Sequence, residues 1–370
     1  MKTLILNPLP IGIEGTTMKD AFIRVGGNPG NMLFLESMKD ELEYSDIITL
    51  NTPTEKIPKD ASIVVPSSNF LCSGGNLSFY EKYIDFFNKI DNEITFCGLG
   101  AQSTKTLNTP QKLVDSLNPI QKKFFNKMSE KATSIGVRGE FTAECLSLLG
   151  VHNIRIIGCP SFYKYLDGKY PTISQPSLGG GGVQMTFTPG GFEQSRVLSL
   201  GMKYNCSWVI QEMSEYPRMM DILGHKMIST KWILKNAPSA FFKGRELQEY
   251  NEKMSHVFWN INAWNEFYKK ENIKFAFGTR FHGNMEALRN GVPALWITHD
   301  SRTAELTAFL HLPNITMKRF STVKRLDELL QYCDYTDLKK NYYGLCKNYV
   351  DYLTENKLNH RYKLVDEANE

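Results

Sequence analysis

The seven cysteines (72, 97, 145, 159, 206, 333 and 346) contain no C-x-x-C pair and leave one over, so neither a zinc site nor a disulfide framework is supported. They read mostly as buried thiols. No apolar run reaches the roughly 18 residues that a membrane-spanning helix needs. The opening Met1-Lys-Thr-Leu-Ile-Leu-Asn7 is too short a run for a secretory signal and reads as a first strand, so the chain is expected in the cytosol. Internal repeats and long low-complexity tracts are missing as well. Charge of one sign is scarce: a net +4 over 370 residues is too weak for a nucleic-acid stripe. It suits an anionic small substrate, or peripheral contact with the anionic inner face of a membrane. No cluster of His, Cys and Asp has ligand spacing, so no metal is expected.

What is present is an ordinary globular composition, 42% apolar and 22% charged, on a length that exceeds one hydrophobic core. Two domains are expected. Strand patterns over 3–6, 46–50, 62–65, 94–97, 134–137 and 154–157 alternate with helical patterns near 31–43, 78–89, 121–131 and 140–149. That alternation predicts α/β architecture, with two doubly wound Rossmann-like units. The first would span 1–165, and a Pro- and Gly-rich linker would follow over 166–182. The second would span 183–334, with strands over 183–187, 208–211, 274–277 and 294–297 and a helical run around 257–270; residues 213–256 resist assignment. A charged, aromatic C-terminal helical tail over 335–370 would pack back towards the cleft.

The most informative stretch runs from Phe275 to Asp300. It sets Arg280 and His282 on a tight turn between a strand and a helix, with Asn284 as the expected cap and Gly291 as the left-handed stop before Val292-Pro293. Free N–H groups around Gly283 and Asn284 would face a ligand, with the positive helix end behind them. Arg280-Phe281-His282, taken as extended, would send both polar side chains to one side and Phe281 to the core. Such a turn suits a phosphate or carboxylate. Other loops fall just after predicted strands, where open α/β sheets collect ligands. They carry Arg138, Gln102 in Gly98-Leu-Gly-Ala-Gln102, Asp300 and Arg302, and Gly26-Gly-Asn-Pro-Gly-Asn31 precedes a helix. Asn76, Gln211 and Glu212 also sit at strand ends or loops, where such residues commonly cap turns. His152, His225, His256, His311 and His360 have no partners at useful spacing and read as structural.

On these residues the chain resembles the polysaccharide pyruvyl transferase family. The resemblance rests on Gly278-Thr-Arg280-Phe-His282-Gly-Asn-Met-Glu-Ala-Leu-Arg-Asn-Gly291-Val-Pro, on His299-Asp-Ser-Arg302-Thr-Ala-Glu305-Leu, and on Ile135-Gly-Val-Arg138-Gly with Gly158-Cys-Pro-Ser161. Gly98-Leu-Gly-Ala-Gln102 and Val209-Ile-Gln211-Glu212 add to it, and it spans roughly residues 20 to 320. It implies a fold like that of the type-B glycosyltransferases (GT-B) and phosphoenolpyruvate as donor substrate, with no cofactor. It also implies a cleft where Arg138, Arg280 and His282 serve the donor. Arg302 stands where members often carry Lys, and Asn28-Pro-Gly-Asn31 departs from the Asn-x-Gly-Asp common in the family.

The residue types fit that chemistry. Phosphoenolpyruvate carries a carboxylate and a phosphate on three carbons, and planar guanidinium groups bind both in bidentate fashion. Arg138, Arg280 and Arg302 would supply them. Making a ketal needs a proton mover, for which His282 is the candidate, with Glu212 and Asp300 as second carriers. The acceptor would be a sugar of a surface polysaccharide or its lipid-linked precursor. Two other readings stand beside this one: a GT-B-type glycosyltransferase using a nucleotide sugar, and a catalytically idle glycan-binding subunit.

Overall fold

The computed structural model describes residues 2–7, 25–104, 106–211, 233–235, 238–239 and 244–365. Its strands are β1 (Thr3–Leu6), β2 (Asp46–Ile48), β3 (Ser62–Pro66), β4 (Leu71–Cys72), β5 (Ile94–Leu99), β6 (Ala101–Gln102), β7 (Ile135–Val137) and β8 (Ile154–Ile156). The second half adds β9 (Gly182–Thr186), β10 (Ser207–Ile210), β11 (Ser255–Val257), β12 (Ile273–Gly278), β13 (Ala294–Thr298) and β14 (Asn314–Thr316). Two parallel sheets result, ordered β2-β1-β3-β5-β7-β8 and β11-β10-β9-β12-β13-β14, while β4 and β6 pair apart. This is the expected pair of doubly wound Rossmann-like units.

Alternating side chains on each strand decide how the layers stack. Leu4 and Leu6 enter one core and Ile5 another; Ile63 and Val65 likewise part from Val64. In the second sheet Leu295 and Ile297 part from Ala294 and Trp296, and Trp208 and Ile210 from Val209. Both faces of each sheet are therefore covered, as parallel sheets require. The inner faces share one continuous core, filled by the helices Gly30–Glu41, Phe281–Arg289 and Thr336–Glu355. Full burial of one such apolar side chain contributes about 1.5–3 kcal/mol, so this shared core outweighs any surface ion pair in holding the halves together.

Chain order reverses between β1 and β3 in the first sheet and between β9 and β12 in the second. A crevice opens at such a reversal, outside the carboxyl ends of the strands. The terminal helix Thr336–Glu355 packs on the first sheet, against its last strands. The Tyr352 hydroxyl donates to the Phe96 carbonyl at 2.8 Å and accepts the Gly136 N–H at 2.9 Å, bridging β5 and β7 where their register shifts. Asn348 donates to the carbonyl of Ile156 at 2.8 Å.

Several local expectations change. The helical run expected around 257–270 divides into β11 and the helix Ile261–Lys270, which Asn260 caps through the Ala263 N–H at 3.1 Å. β14 and the β4–β6 pair, at two or three residues each, were too short to give a periodic pattern. Among the described residues, no helix is long and apolar enough to cross a membrane.

Candidate active site between the two sheets

One cavity lies where both crevices meet, and its walls come from both halves. Arg138, Asn69 and Asn28 line it from the first; Arg280, His282 and Arg302 line it from the second. Each follows the carboxyl end of a parallel strand or opens a helix. Helices beginning at Gly30, Glu140, Phe281 and Ser301 start at or beside this cavity, so the positive ends of their dipoles add to the three guanidinium charges.

Arg138 leaves β7 and is almost fully buried, 4% exposed. Its Nε donates to the Gly98 carbonyl at 2.8 Å, one terminal nitrogen to Asn69 Oδ1 at 2.8 Å, and the other to the Ser67 carbonyl at 3.4 Å. Three of its five N–H groups are thus held by the protein, which fixes the plane of the fork and aims the rest into the cavity. The Gly-rich turn after β5 makes room for this side chain: a Cβ on Gly100 would stand 2.8 Å from Arg138 Cδ. Gln102, in β6, lies outside the cavity lining.

Arg280 is the N-cap residue of the helix Phe281–Arg289, with its N–H 3.3 Å from Thr186 Oγ1 and its Nε 3.4 Å from the Phe187 carbonyl. The extended reading of Arg280-Phe281-His282 is corrected here. Helix begins at Phe281, so Phe281 and His282 sit in its first turn and both border the cavity. Asn284 is corrected too. It lies inside the helix, fully buried, and its Nδ2 donates to the carbonyls of Gly278 and Leu295 at 3.0 and 3.1 Å, tying β12 to β13. Gly283 works behind the site as well: a Cβ there would fall 2.2 Å from Gln211 Nε2, so glycine lets the helix close onto the sheet. Gly291 does adopt the expected left-handed conformation, with φ of 74°.

His282 is 9% exposed, between Phe34 and Phe281. Burial first, and then the charges of Arg138, Arg302 and Arg289, push its imidazole down to about 3. The ring is therefore neutral at physiological pH.

Asp300 does not serve as a free proton carrier. Oδ1 accepts the Thr303 N–H at 3.0 Å, capping the helix Ser301–Phe309, and Oδ2 accepts from Arg302 Nε at 2.8 Å. Burial alone would raise its carboxyl, but Arg302, His299 and Thr303 overcome that and hold it at about 2. Asn76 is exposed and caps the helix Leu77–Lys89 through the Ser78 N–H at 3.1 Å, away from the cavity. Gln211, 2% exposed, does line the cavity. Glu212 lies outside the described residues. Among the described residues, no three His, Cys, Asp or Glu gather as a metal would require.

Residues that sequence reasoning missed lie mainly around the arginines. Asn69 and Ser67 become partners of Arg138 only because β3 and β7 flank β5 in the sheet, which no local spacing reveals. Glu305 is another. Its carboxyl accepts from the Thr142 N–H at 2.9 Å and from the Thr142 hydroxyl at 2.8 Å, so a side chain of the second half caps the helix Glu140–Leu148 of the first. Burial raises it to about 7, against the Thr142 hydrogen bonds and the charge of Arg138. A carboxyl raised in the fold favours the folded state below its unfolded value near 4.5, and that advantage is lost as pH climbs through about 7. Glu305→Gln should therefore flatten the fall in thermal stability across this window, by about 1.4 kcal/mol for each pH unit. Parallel melts of wild type and variant at stepped pH measure it; equal slopes would refute the assignment.

Among solved structures, this chain is similar to UDP-GlcNAc 2-epimerase from Neisseria meningitidis, at 11% identity over 96% of this chain and all (100%) of that one, with a TM-score of 0.46. An Anabaena protein solved with UDP and glucose matches at 8% identity over 96% and 99% of the two chains, with a TM-score of 0.44. A functionally uncharacterised protein from Klebsiella pneumoniae matches at 9% identity over 83% and 88%, with a TM-score of 0.41. Nothing about this chain's chemistry follows from likeness at that level. No curated protein matches. The sequence profile of the polysaccharide pyruvyl transferase family matches residues 28–301, a span that carries Asn28, Arg138, Arg280 and His282 alike. With most of its length inside that match, the chain belongs to the polysaccharide pyruvyl transferase family and is a transferase.

Proposed function

We propose that the protein moves the pyruvyl group of phosphoenolpyruvate onto two hydroxyls of one sugar in a surface polysaccharide or its lipid-linked precursor, forming a ketal without a cofactor. The observation that carries this reading is the single cavity lined by Arg138, Arg280, Arg302 and His282.

Three guanidinium groups and the helix ends would hold the carboxylate and the phosphate. A proton delivered to the methylene carbon leaves positive charge at C2, which the first hydroxyl attacks, losing its proton. Phosphate departs with the C2–O bond pair and takes up one proton. The second hydroxyl then closes the ketal and releases its own. One hydroxyl proton's worth thus ends on the new methyl group and one on phosphate. His282 is the group that moves these protons. Donor binding assists it, because the incoming anions offset the guanidinium charges that keep the imidazole neutral, and its affinity for a proton rises.

Thermal melting with phosphoenolpyruvate and, separately, with a panel of nucleotide sugars tests the assignment. Stabilisation by phosphoenolpyruvate is expected. Stabilisation by uridine or guanosine sugars alone would make the protein a glycosyltransferase, and no shift with any donor would leave a glycan-binding role.

A further inference from the structure

Cys159 lies behind His282 in the fully buried core, and the cavity wall does not include it. Its sulfur is 3.6 Å from His282 Nε2 and receives the Ser161 hydroxyl at 3.1 Å. Direction along this chain follows from counting hydrogens. Ser161 donates to the sulfur, so the thiol hydrogen is left to find an acceptor. Among the described residues the imidazole nitrogen is the acceptor within reach, and it is a far better one than sulfur. In the opposite arrangement the sulfur would take two donors while its own hydrogen had no partner.

The other ring nitrogen faces the opposite way, towards the turn that opens the helix Gly30–Glu41. A Cβ placed on Gly30 would stand 3.1 Å from Nδ1 and 2.9 Å from the His282 Cβ, so glycine lets that turn pack closely beside this edge of the ring, at the border of the cavity. Asn28, whose Oδ1 accepts the Gly30 N–H at 2.9 Å, lines the cavity on this side. The ring is also held neutral by burial and by its guanidinium neighbours, so one nitrogen alone carries hydrogen in the empty site.

We infer that Cys159 is a positioning residue: through the Ser161–Cys159–His282 chain it selects the imidazole tautomer that carries hydrogen on Nδ1, turned towards the donor. This deepens the pyruvyl-transfer reading and rests on it for the identity of the donor. The nitrogen that presents hydrogen to phosphoenolpyruvate is then Nδ1, and Nε2, which accepts from the thiol in the free enzyme, is the nitrogen that takes up the proton when the donor binds. A ring in the other tautomer would offer the donor a lone pair in place of a hydrogen.

Nitrogen-15 NMR of the full chain labelled at histidine tests it, with His282 assigned by comparison with His282→Gln. In the free wild type near pH 7.5, the expected pattern is a protonated Nδ1 and an unprotonated Nε2. Cys159→Ala should lose that preference, and Cys159→Ser, whose hydroxyl donates in place of the thiol, should keep it. In turnover with phosphoenolpyruvate, Cys159→Ala should lower kcat by about tenfold or more with donor KM little changed, and Cys159→Ser should recover most of the loss. A wild-type ring protonated on Nε2, or a Cys159→Ala ring with the wild-type pattern, overturns the inference. Because the NMR arm needs no substrate, an inactive wild type with the Nδ1–H pattern would count against phosphoenolpyruvate as donor and leave the tautomer assignment standing.

Discussion

His282→Ala is expected to reduce pyruvyl transfer by about 10²–10⁴-fold in kcat while leaving affinity for phosphoenolpyruvate within a few-fold. The split follows from the charge state of the ring. A neutral imidazole, held at about 3 beside three guanidinium groups, would add little attraction for a donor whose charges the arginines would meet. Its removal is felt when a proton must move. The same geometry predicts proton uptake on donor binding at neutral pH, since the donor's anions cancel the field that keeps the ring neutral. Calorimetry in two buffers of different ionisation enthalpy reads that uptake directly. A His282→Ala enzyme with wild-type kcat would remove the ring from the reaction, and unchanged proton uptake in that variant would place the titrating group elsewhere.

The second large effect is expected at Arg138. Arg280→Ala should weaken donor binding by about 1.5–3 kcal/mol, the scale of a hydrogen bond to a charged group. Arg138→Ala should lose a similar amount of binding and also stability. It would leave the carbonyls of Gly98 and Ser67 and the amide oxygen of Asn69 without their donor in a buried place. Arg138→Lys should not rescue it, because a single ammonium cannot reach three diverging acceptors and keep hydrogens for the donor. Donor titration and thermal melts on the three variants separate the contributions. Wild-type donor affinity in Arg138→Ala would show that the cavity's first-half wall takes no part in binding.

Much of this architecture was legible in the chain because the central strands bury both faces and most strands alternate with helices. Val64, between Ile63 and Val65, reads as continuous apolar sequence and sits between two cores. The turn at Arg280 and His282 stood out because cations close to a strand end are hard to explain as packing. What stayed hidden was of two kinds. Local geometry hid the start of the helix at Phe281, since arginine is a poor N-cap and Asn284 a good one; the asparagine spends its amide on β12 and β13 instead. Distance along the chain hid the rest: Cys159 and His282 are 123 residues apart, and Thr142 and Glu305 are 163 apart. Residues that meet only when two sheets share a core leave no spacing to detect.

The terminal helix Thr336–Glu355 belongs in space to the sheet built by the chain's beginning, although it follows the strands of the other half. Its buried face includes Tyr349 and Tyr352, whose hydroxyls bond to Glu41 and to the Phe96 carbonyl. Neither half is therefore a severable unit. A fragment cut in the 157–182 segment would carry an orphaned greasy helix on its later piece and an uncapped β5–β7 seam on its earlier one. Co-expressed, the two pieces would have reason to find each other, which makes this a natural place to split the protein and rebuild it from its parts.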